Sequence, residues 1–188
     1  MPADRKVILY ISMSLDGYIA KPDGDLSFLS TVEQPGQDYG YSDFLKTVDT
    51  VIIGRRSYDK VLSMGFVYPH TDKKVYIITR TERPDNGPFN YYTGSLKALI
   101  TELKSKNGKN IYCDGGAEIA NTLLMDDLID EFIISVIPVI LGNGISLFDK
   151  GRPGINLKLV SSTKFEKGLV QLHYTRADSC KQDAVTRL

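Results

Sequence analysis

The sequence is poor in the residues that build metal centres and disulfides. Its 188 residues include two cysteines and two histidines. Cys113 and Cys180 lie far apart, one in an apolar run and one in a polar tail, so we expect reduced thiols in a cytosolic protein. With only His70 and His173 besides, the ligand sets of a zinc hydrolase or a zinc deaminase cannot be assembled, and no metal site is predicted.

An excess of charge of one sign is also missing. Lysine and arginine together number 23, as do aspartate and glutamate, so the formal net charge is zero. A chain without net positive charge has no bulk attraction for polyanions, and we expect neither nucleic acid nor an anionic membrane as a partner. Basic residues that matter for function should therefore act locally.

Long hydrophobic runs are absent as well. The apolar run near the N-terminus, KVILYIS, is too short, and too soon broken by Ser12 and Asp16, for a signal peptide or a membrane span. We therefore predict a cytoplasmic protein. No internal repeat or low-complexity linker divides the chain, so residues 1–176 are predicted to form one domain, followed by a loose tail over 177–188.

The sequence does contain an alternation of β-rich and helical segments. Continuous apolar runs, typical of strands in a sheet covered on both faces, occupy residues 6–12, 50–53, 74–79, 110–113 and 131–140. Helical spacing occurs between them, at residues 41–48, 57–62, 95–106 and 117–125, with Ser95 as a candidate N-cap. Two further segments, 163–167 and 169–175, flank Gly168 and predict an antiparallel hairpin.

These elements together predict a three-layer α/β domain with an antiparallel C-terminal edge to its sheet. Pro138 lies near the end of the run 131–140. Because proline cannot donate to a strand ladder, it indicates a sheet edge or a bulge at that strand.

Three strand ends carry residue types that suit a phosphate group. After the strand in VIIGRRSYDKV come four residues at the start of a helix: Gly54, Arg55, Arg56 and Ser57. N–H groups at a helix start attract anions, and arginines add charge and forked donors. After the strand in VYIITRTE come Thr79 and Arg80.

The third strand end, IYCDGGAEIA, passes into a helix through Gly115 and Gly116. Two residues without side chains would let a bulky anionic group approach the helix start, or would simply permit close strand–helix packing. Each strand end alone is explained as well by surface charge or an ordinary loop. Three such ends from neighbouring strands favour a nucleotide-phosphate site. The pattern is not GxGxxG, so a standard Rossmann domain is not predicted.

Five stretches follow one another in the order found in a known superfamily: SMSLDGYIA, VIIGRRSY, YIITR, CDGGAEIANTLL and LIDEFIISVIPVILGNGISLF. Over roughly residues 5–176 the chain resembles the dihydrofolate reductase-like superfamily. It most closely resembles the reductase domain of the bifunctional riboflavin-biosynthesis deaminase/reductase, in its stand-alone bacterial form. The resemblance implies a mainly parallel mixed sheet with helices on both faces, NADPH as cofactor, hydride transfer to a heterocyclic substrate, and a homodimer.

The resemblance also implies roles for the residues at the three strand ends. Arg55 corresponds to the arginine that holds the 2′-phosphate, with Thr79 and Arg80 closing around it from the next strand. The pyrophosphate and the path of the dinucleotide correspond to Arg56, Ser57, Gly115, Gly116, Ala117 and Glu118. Arginines suit a 2′-phosphate, whereas a bare ribose diol usually meets an acidic residue, so NADPH is expected rather than NADH.

Two aspartates are candidate catalytic residues. Asp114 stands directly before the glycine pair, where the resembled reductases carry an acid, and it serves equally well as a proton donor or as a helix cap. Asp16, in SLDGYIA, would orient the loop over the nicotinamide or would form a turn with Gly17.

Three functions stay open on the sequence. The first is an NADPH-dependent reductase of a pyrimidine- or pterin-like molecule, similar to 5-amino-6-(5-phosphoribosylamino)uracil reductase. The second is a dihydrofolate or dihydropterin reductase, although the place of the usual folate carboxylate falls near Tyr39 or Gly40. The third is an inactive NADPH-binding module. For a homodimer, the strand 131–140, taken as an edge, and the loop 142–144 are the expected contacts.

Overall fold

Strands and helices alternate along residues 5–151 and 154–177, which are those that the computed structural model of the protein describes. Ten strands occur within them: β1 (Val7–Ser14), β2 (Tyr18–Ala20), β3 (Val48–Gly54), β4 (Lys74–Ile78), β5 (Phe89–Tyr92), β6 (Asn110–Gly115), β7 (Glu131–Ile137), β8 (Ile145–Ser146), β9 (Leu157–Lys164) and β10 (Val170–Arg176). The α-helices in the same residues are α1 (Tyr41–Lys46), α2 (Arg55–Ser63), α3 (Leu96–Lys104) and α4 (Ala117–Met125). Cys180 and the predicted tail, apart from residue 177, lie outside the described residues.

Eight of these strands form one sheet in the order β5-β4-β3-β6-β1-β7-β10-β9. The first six run parallel to one another. The last two run antiparallel, β10 against β7 and β9 against β10. The predicted α/β fold, with a mainly parallel sheet and an antiparallel C-terminal hairpin, is therefore confirmed. The hairpin is longer than expected, because β9 begins at Leu157.

The central strands are apolar along their length because helices cover both faces of the sheet. One face packs Leu9, Ile52 and Ile111 against α3 and α4. The other face packs Val51 and Ile53 in a cluster with residues of α1 and α2. This arrangement gives the three predicted layers. In the described residues, no helix has the length and apolar character that crossing a membrane requires.

The interpretation of residues 131–140 as an edge strand was wrong. β7 lies inside the sheet, paired with β1 on one side and β10 on the other. Pro138 causes no conflict, because it follows Ile137, where the strand has already ended. The edges of the sheet are β5 and β9. The short, tyrosine-containing β5 was not predicted, since its four residues show no continuous apolar run.

The helix boundaries follow the sequence signals closely. The Ser95 side chain accepts a hydrogen bond from the Ala98 N–H at 3.4 Å, as its predicted N-cap role requires. α2 starts at Arg55, two residues before its predicted start, and so follows β3 without a loop. This direct passage puts the arginines of VIIGRRSY in the first turn of the helix.

Candidate functional site

A cleft of about 1270 Å³ opens at the carboxyl ends of the parallel strands. Its wall includes residues at or just after the ends of β3, β4, β6 and β7. In open α/β sheets ligands bind at this edge, where the loops after the strands converge. The cleft is therefore the candidate site.

The three strand ends singled out in the sequence meet in this cleft. Its wall contains, from these ends, Arg55, Arg56, Ser57, Thr79, Arg80, Gly116, Ala117 and Glu118. They meet because β4, β3 and β6 are neighbours in the sheet and run in the same direction. Of the predicted cofactor residues, only Gly115 does not line the cleft. It is buried and has φ +97, a conformation that favours glycine.

The second glycine of the pair is needed because the protein's own backbone and side chains approach closely there. A Cβ on Gly116 would lie 2.6 Å from the Ser57 Oγ, well inside contact distance. The Gly116 N–H donates a hydrogen bond to that oxygen at 3.1 Å. The glycine pair thus joins the β3–α2 and β6–α4 strand ends, and its predicted contact with an anionic ligand stays a prediction.

Two helix starts in the cleft wall have no side-chain cap. Gly54 precedes α2 and Gly116 precedes α4, and neither supplies a side-chain hydrogen bond to its helix. Each helix has nine residues, and first-turn residues of both line the cleft. Unpaired N–H groups and the positive ends of two helix dipoles therefore favour an anion at this side of the cleft.

Two arginines of the site, Arg55 and Arg80, are held by carboxylates of the protein. The Arg55 Nη1 lies 2.5 Å from the Asp59 Oδ2, and the Arg80 Nη2 lies 2.6 Å from the Glu118 Oε1. The Arg80–Glu118 pair bridges the end of β4 and the start of α4. Arg80 and Glu118 are exposed, whereas Arg55 and Asp59 are half-buried. Ion pairs between exposed side chains contribute about 0–1 kcal/mol, so a phosphate could replace at least the Glu118 carboxylate at little cost.

Asp114 lies at the end of β6, half-buried in the cleft wall. Its Oδ1 accepts a hydrogen bond from the Tyr112 hydroxyl at 2.6 Å, and its Oδ2 accepts one from the Tyr68 hydroxyl. Burial raises the pKa of Asp114, although both tyrosine hydrogen bonds and nearby His70 act in the opposite direction. The predicted alternative, in which Asp114 caps α4, was wrong. The Asp114 carboxylate accepts hydrogen bonds from two tyrosine hydroxyls, and α4 has no side-chain cap.

A group of aromatic residues around Asp114 was not predicted. Tyr68, His70 and Tyr112 are all at most 3% exposed, and Tyr41, which lines the cleft, places its hydroxyl 3.1 Å from the His70 Nε2. Burial lowers the pKa of His70, which keeps the ring neutral at physiological pH. The only signal in the sequence is its 11 tyrosines, which form no local motif.

Asp16, the second predicted catalytic residue, does not line the cleft. Its carboxylate accepts hydrogen bonds from the Ser14 hydroxyl at 2.6 Å and from the N–H groups of Leu141 at 3.1 Å and Gly142 at 2.7 Å. These contacts fix the loop after β7 against the β1–β2 turn. The position is that of a loop-fixing residue, and it gives no support to a direct catalytic role.

Metal ligands are not brought together in the described part of the chain. Within residues 5–151 and 154–177, no group of three or more histidine, cysteine, aspartate or glutamate side chains is placed to hold a metal ion. Cys113 is a free, buried thiol, and burial raises its pKa to about 12. It is therefore neutral at physiological pH.

Comparison with known proteins gives a consistent family match. The model of the RibD C-terminal domain matches residues 5–171. The uncharacterised protein YwjB of Bacillus subtilis (strain 168) is 45% identical over 177 residues, which are 93% of this chain and 99% of that protein. The crystal structure of a putative riboflavin biosynthesis protein from Shewanella sp. PV-4 has a TM-score of 0.83 and 32% identity, and the match covers 92% of this chain and 99% of that one.

More distant solved structures share the fold. A diaminohydroxyphosphoribosylaminopyrimidine deaminase/5-amino-6-(5-phosphoribosylamino)uracil reductase from Thermotoga maritima has a TM-score of 0.67 and 17% identity, over 93% of this chain and 57% of that one. Dihydrofolate reductase from Enterococcus faecalis, complexed with NADP(H), has a TM-score of 0.63 and 15% identity, over 92% and 97%. At these identities the similarity establishes the fold alone.

Proposed function

The chain belongs to the RibD C-terminal domain family, and from that premise we propose that it is an NADPH-dependent reductase of a pyrimidine- or pterin-like heterocycle. Family and fold support reductase-type chemistry on riboflavin- or folate-related compounds. The observation that carries the proposal is the convergence of three strand ends, with their arginines and helix starts, on the cleft that also holds Asp114.

The cofactor side of the cleft has the groups that a dinucleotide phosphate requires. Arg55, Thr79 and Arg80 would surround the 2′-phosphate, and the uncapped starts of α2 and α4 would face the pyrophosphate. Arg55 is paired with the half-buried Asp59 and Arg80 with the exposed Glu118, and a dianionic phosphate would displace these carboxylates. When bound, NADPH supplies the hydride.

The protein's own contribution to the reaction would be orientation and a proton. Asp114 is the acid in the cleft wall whose pKa burial raises, so it holds its proton at higher pH than a free aspartate does. Two tyrosine hydroxyls fix its carboxyl group in one orientation. A positioned acid of this kind suits protonation of a ring that accepts a hydride.

Two experiments test the proposal. Calorimetric titration should give tighter binding of NADPH than of NADH, and absorbance at 340 nm should report oxidation of NADPH with a pyrimidine or pteridine substrate. Binding without oxidation across such a panel would instead favour the inactive module. Robust turnover of dihydrofolate would favour a dihydrofolate reductase. Asp38 is the acid nearest to the sequence position, near Tyr39 or Gly40, where dihydrofolate reductases carry their carboxylate. Its oxygens accept hydrogen bonds from the N–H groups of Gly40 and Ser42.

We also propose that the homodimer forms through β9 rather than through β7. All eight residues of β9 are exposed, and it is an edge strand. Three of them are large and apolar, with Leu157 39%, Leu159 51% and Val160 53% exposed. A long, exposed and partly apolar edge is a template for pairing with another chain, and a second copy would cover it.

A further inference from the structure

The cations in the cleft wall are confined to one side. Four lining residues are basic, and all lie on α2 or directly after β4: Arg55, Arg56, Lys60 and Arg80. These are the elements assigned above to the cofactor. The opposite side is formed by β1, the segment 19–41 and the ends of β6 and β7. Among its described lining residues there is no lysine, arginine or histidine.

Lining carboxylates occur on both sides of the cleft. Glu118, which is paired with Arg80, and Asp126 belong to α4 and the residue after it, and the others stand on the opposite side. Asp23, Glu33 and Asp38 line it, and all three are exposed. Hydrogen bonds from Ser42 and Gly40 lower the pKa of Asp38, which keeps this group ionised at neutral pH. Together these residues place negative charge on the side of the cleft proposed for the substrate. A phosphate dianion placed there would be repelled by these carboxylates, and no basic residue of the described lining stands on this side to balance them.

Lys60 is the cleft-lining cation that comes close to this side, and its surroundings limit what it can do. Its Nζ lies 3.8 Å from the place where a Cβ on Gly24 would stand, beside the turn that carries Asp23 and Asp25. Asp25 is paired with Lys21 at 2.7 Å. Lys60 is therefore a single ammonium at a turn that bears carboxylates, which is not the cluster of donors that binds a phosphate.

Apart from these carboxylates, the substrate side carries neutral polar and aromatic groups. Tyr10, Tyr39 and Ser135 line the cleft there. The Gln171 Nε2, which is not part of the cleft wall, donates to the Tyr10 hydroxyl at 2.9 Å and to the Ser135 Oγ at 3.2 Å, and the Tyr10 hydroxyl donates to the Tyr39 carbonyl at 3.1 Å. Tyr10 and Tyr41 pack edge to face with ring centroids 5.4 Å apart. Hydroxyl and aromatic groups of this kind suit a planar, uncharged ring.

From this partition of charge we infer that the cleft takes an uncharged heterocycle without a phosphate group, in contrast to a phosphoribosylamino-pyrimidine. The inference rests on the proposed function, since it assigns the basic side of the cleft to the cofactor. It narrows the substrate class to compounds whose ring is the recognised part. A phosphorylated side chain would extend into a wall that bears carboxylates.

The test compares two probes that differ only in phosphate. With the wild-type protein saturated with NADP⁺, calorimetry measures Kd for 5-amino-6-(5-phosphoribosylamino)uracil and for its dephosphorylated form. We expect the dephosphorylated compound to bind at least about tenfold more tightly at low salt, with the ratio shrinking as salt screens the carboxylates. Equal binding, tighter binding of the phosphorylated probe, or binding of neither probe would overturn the inference.

Two variants show whether the carboxylates cause the preference. Glu33→Lys, at an exposed position, should narrow the ratio severalfold by strengthening only the binding of the phosphorylated probe. Lys60→Gln should still bind the dephosphorylated probe more tightly than the phosphorylated one. If this variant bound only the phosphorylated probe more weakly than wild type does, Lys60 would be shown to bind the phosphate, which would contradict the inference. An NADPH titration of the same samples tests the cofactor assignment separately, so the failure of one proposal is distinguishable from the failure of the other.

Discussion

The Tyr112 hydroxyl donates a hydrogen bond to the Asp114 Oδ1 over 2.6 Å. The two residues are two positions apart on β6, so their side chains leave the strand on the same face. Tyr68, 46 residues away in the sequence, donates to the other oxygen. The carboxyl group is thus fixed from both sides in the wall of the cleft, while burial raises its pKa. This combination is what a positioned proton donor requires.

Replacing Asp114 with asparagine should remove the proton donor while keeping the shape of the side chain. We expect kcat to fall about 100-fold or more, within the range found for general acids. Because the pKa of Asp114 is raised, wild-type kcat should decline as the pH rises through that pKa, and D114N should lose this decline. Stopped-flow kinetics across pH measures both, and an unchanged kcat would exclude Asp114 as the donor.

Tyr112→Phe gives an independent check of the same group. The Tyr112 hydrogen bond acts to lower the pKa of Asp114, so its removal should raise that pKa further and move the decline in kcat to higher pH. Because the pKa of Asp114 is higher in the folded state than in the unfolded state, the folded state binds this proton more tightly. The free energy of unfolding should therefore increase as the pH falls through the folded-state pKa. A pH profile identical to wild type would contradict this coupling.

Gly116→Ala should disturb the contact between two strand ends. The added Cβ would lie 2.6 Å from the Ser57 Oγ, so the serine must rotate and its hydrogen bond with the Gly116 N–H breaks. We expect NADPH affinity to fall about tenfold and stability to fall by about 1 kcal/mol. Gly154→Ala is the matched control, since a Cβ there meets no atom within 4 Å. Equal effects in both variants would disprove the local explanation.

Arg55→Ala should change cofactor preference. A charge-assisted hydrogen bond contributes about 1.5–3 kcal/mol, so we expect Kd for NADPH to rise about 10- to 100-fold and Kd for NADH to change little. Arg83→Ala, which removes an arginine packed 5.7 Å from the Tyr91 ring and outside the cleft wall, is the control. An equal loss of both cofactors would argue against a 2′-phosphate role for Arg55.

Leu159→Glu should convert a β9-mediated dimer into a monomer, because it places a charge on the exposed edge strand. Sedimentation equilibrium measures the mass. Met125→Glu, at another exposed apolar position, 57% exposed at the end of α4, should leave the mass unchanged. A wild-type protein that sediments as a monomer at micromolar concentration would rule out the dimer.

Glu131→Gln should destabilise the protein in a pH-dependent way. The Glu131 carboxylate lies 2.6 Å from the Lys6 Nζ and 2.9 Å from the His173 Nε2. Burial opposes ionisation of Glu131, but these two partners lower its pKa below the usual value. Its stabilisation is therefore present above the unfolded-state pKa and is lost as the pH falls through the folded-state value.

We expect Glu131→Gln to cost about 1–2 kcal/mol of unfolding free energy at neutral pH, and the difference from wild type to shrink in acid. Urea unfolding at a series of pH values measures it. Glu82→Gln, at an exposed position, is the control and should change stability by less than about 0.5 kcal/mol. A cost that stays constant with pH would show that the carboxylate charge is not responsible.

The sequence predicted the elements because burial leaves a local pattern. The apolar runs now found in β1, β3, β4, β6 and β7 are continuous since both faces of each strand are covered. The same pattern could not distinguish an inner strand from an edge strand, because β10, which pairs with the second side of β7, follows much later in the sequence. Pro138 indicated an edge strand, whereas β7 is an inner strand. The two agree once the structure shows that β7 ends at Ile137, before the proline.

By itself, therefore, the sequence determined the α/β architecture and the meeting of three strand ends, since the carboxyl ends of neighbouring parallel strands must share one edge. Tertiary structure alone decided which side chains meet there. It brought Tyr68 to Asp114, directed Asp16 toward the loop at Gly142, and gathered the basic residues of the cleft wall on α2 and after β4. Periodicity reports whether a residue is buried, whereas its partner depends on strand order and long loops, which leave no local signal.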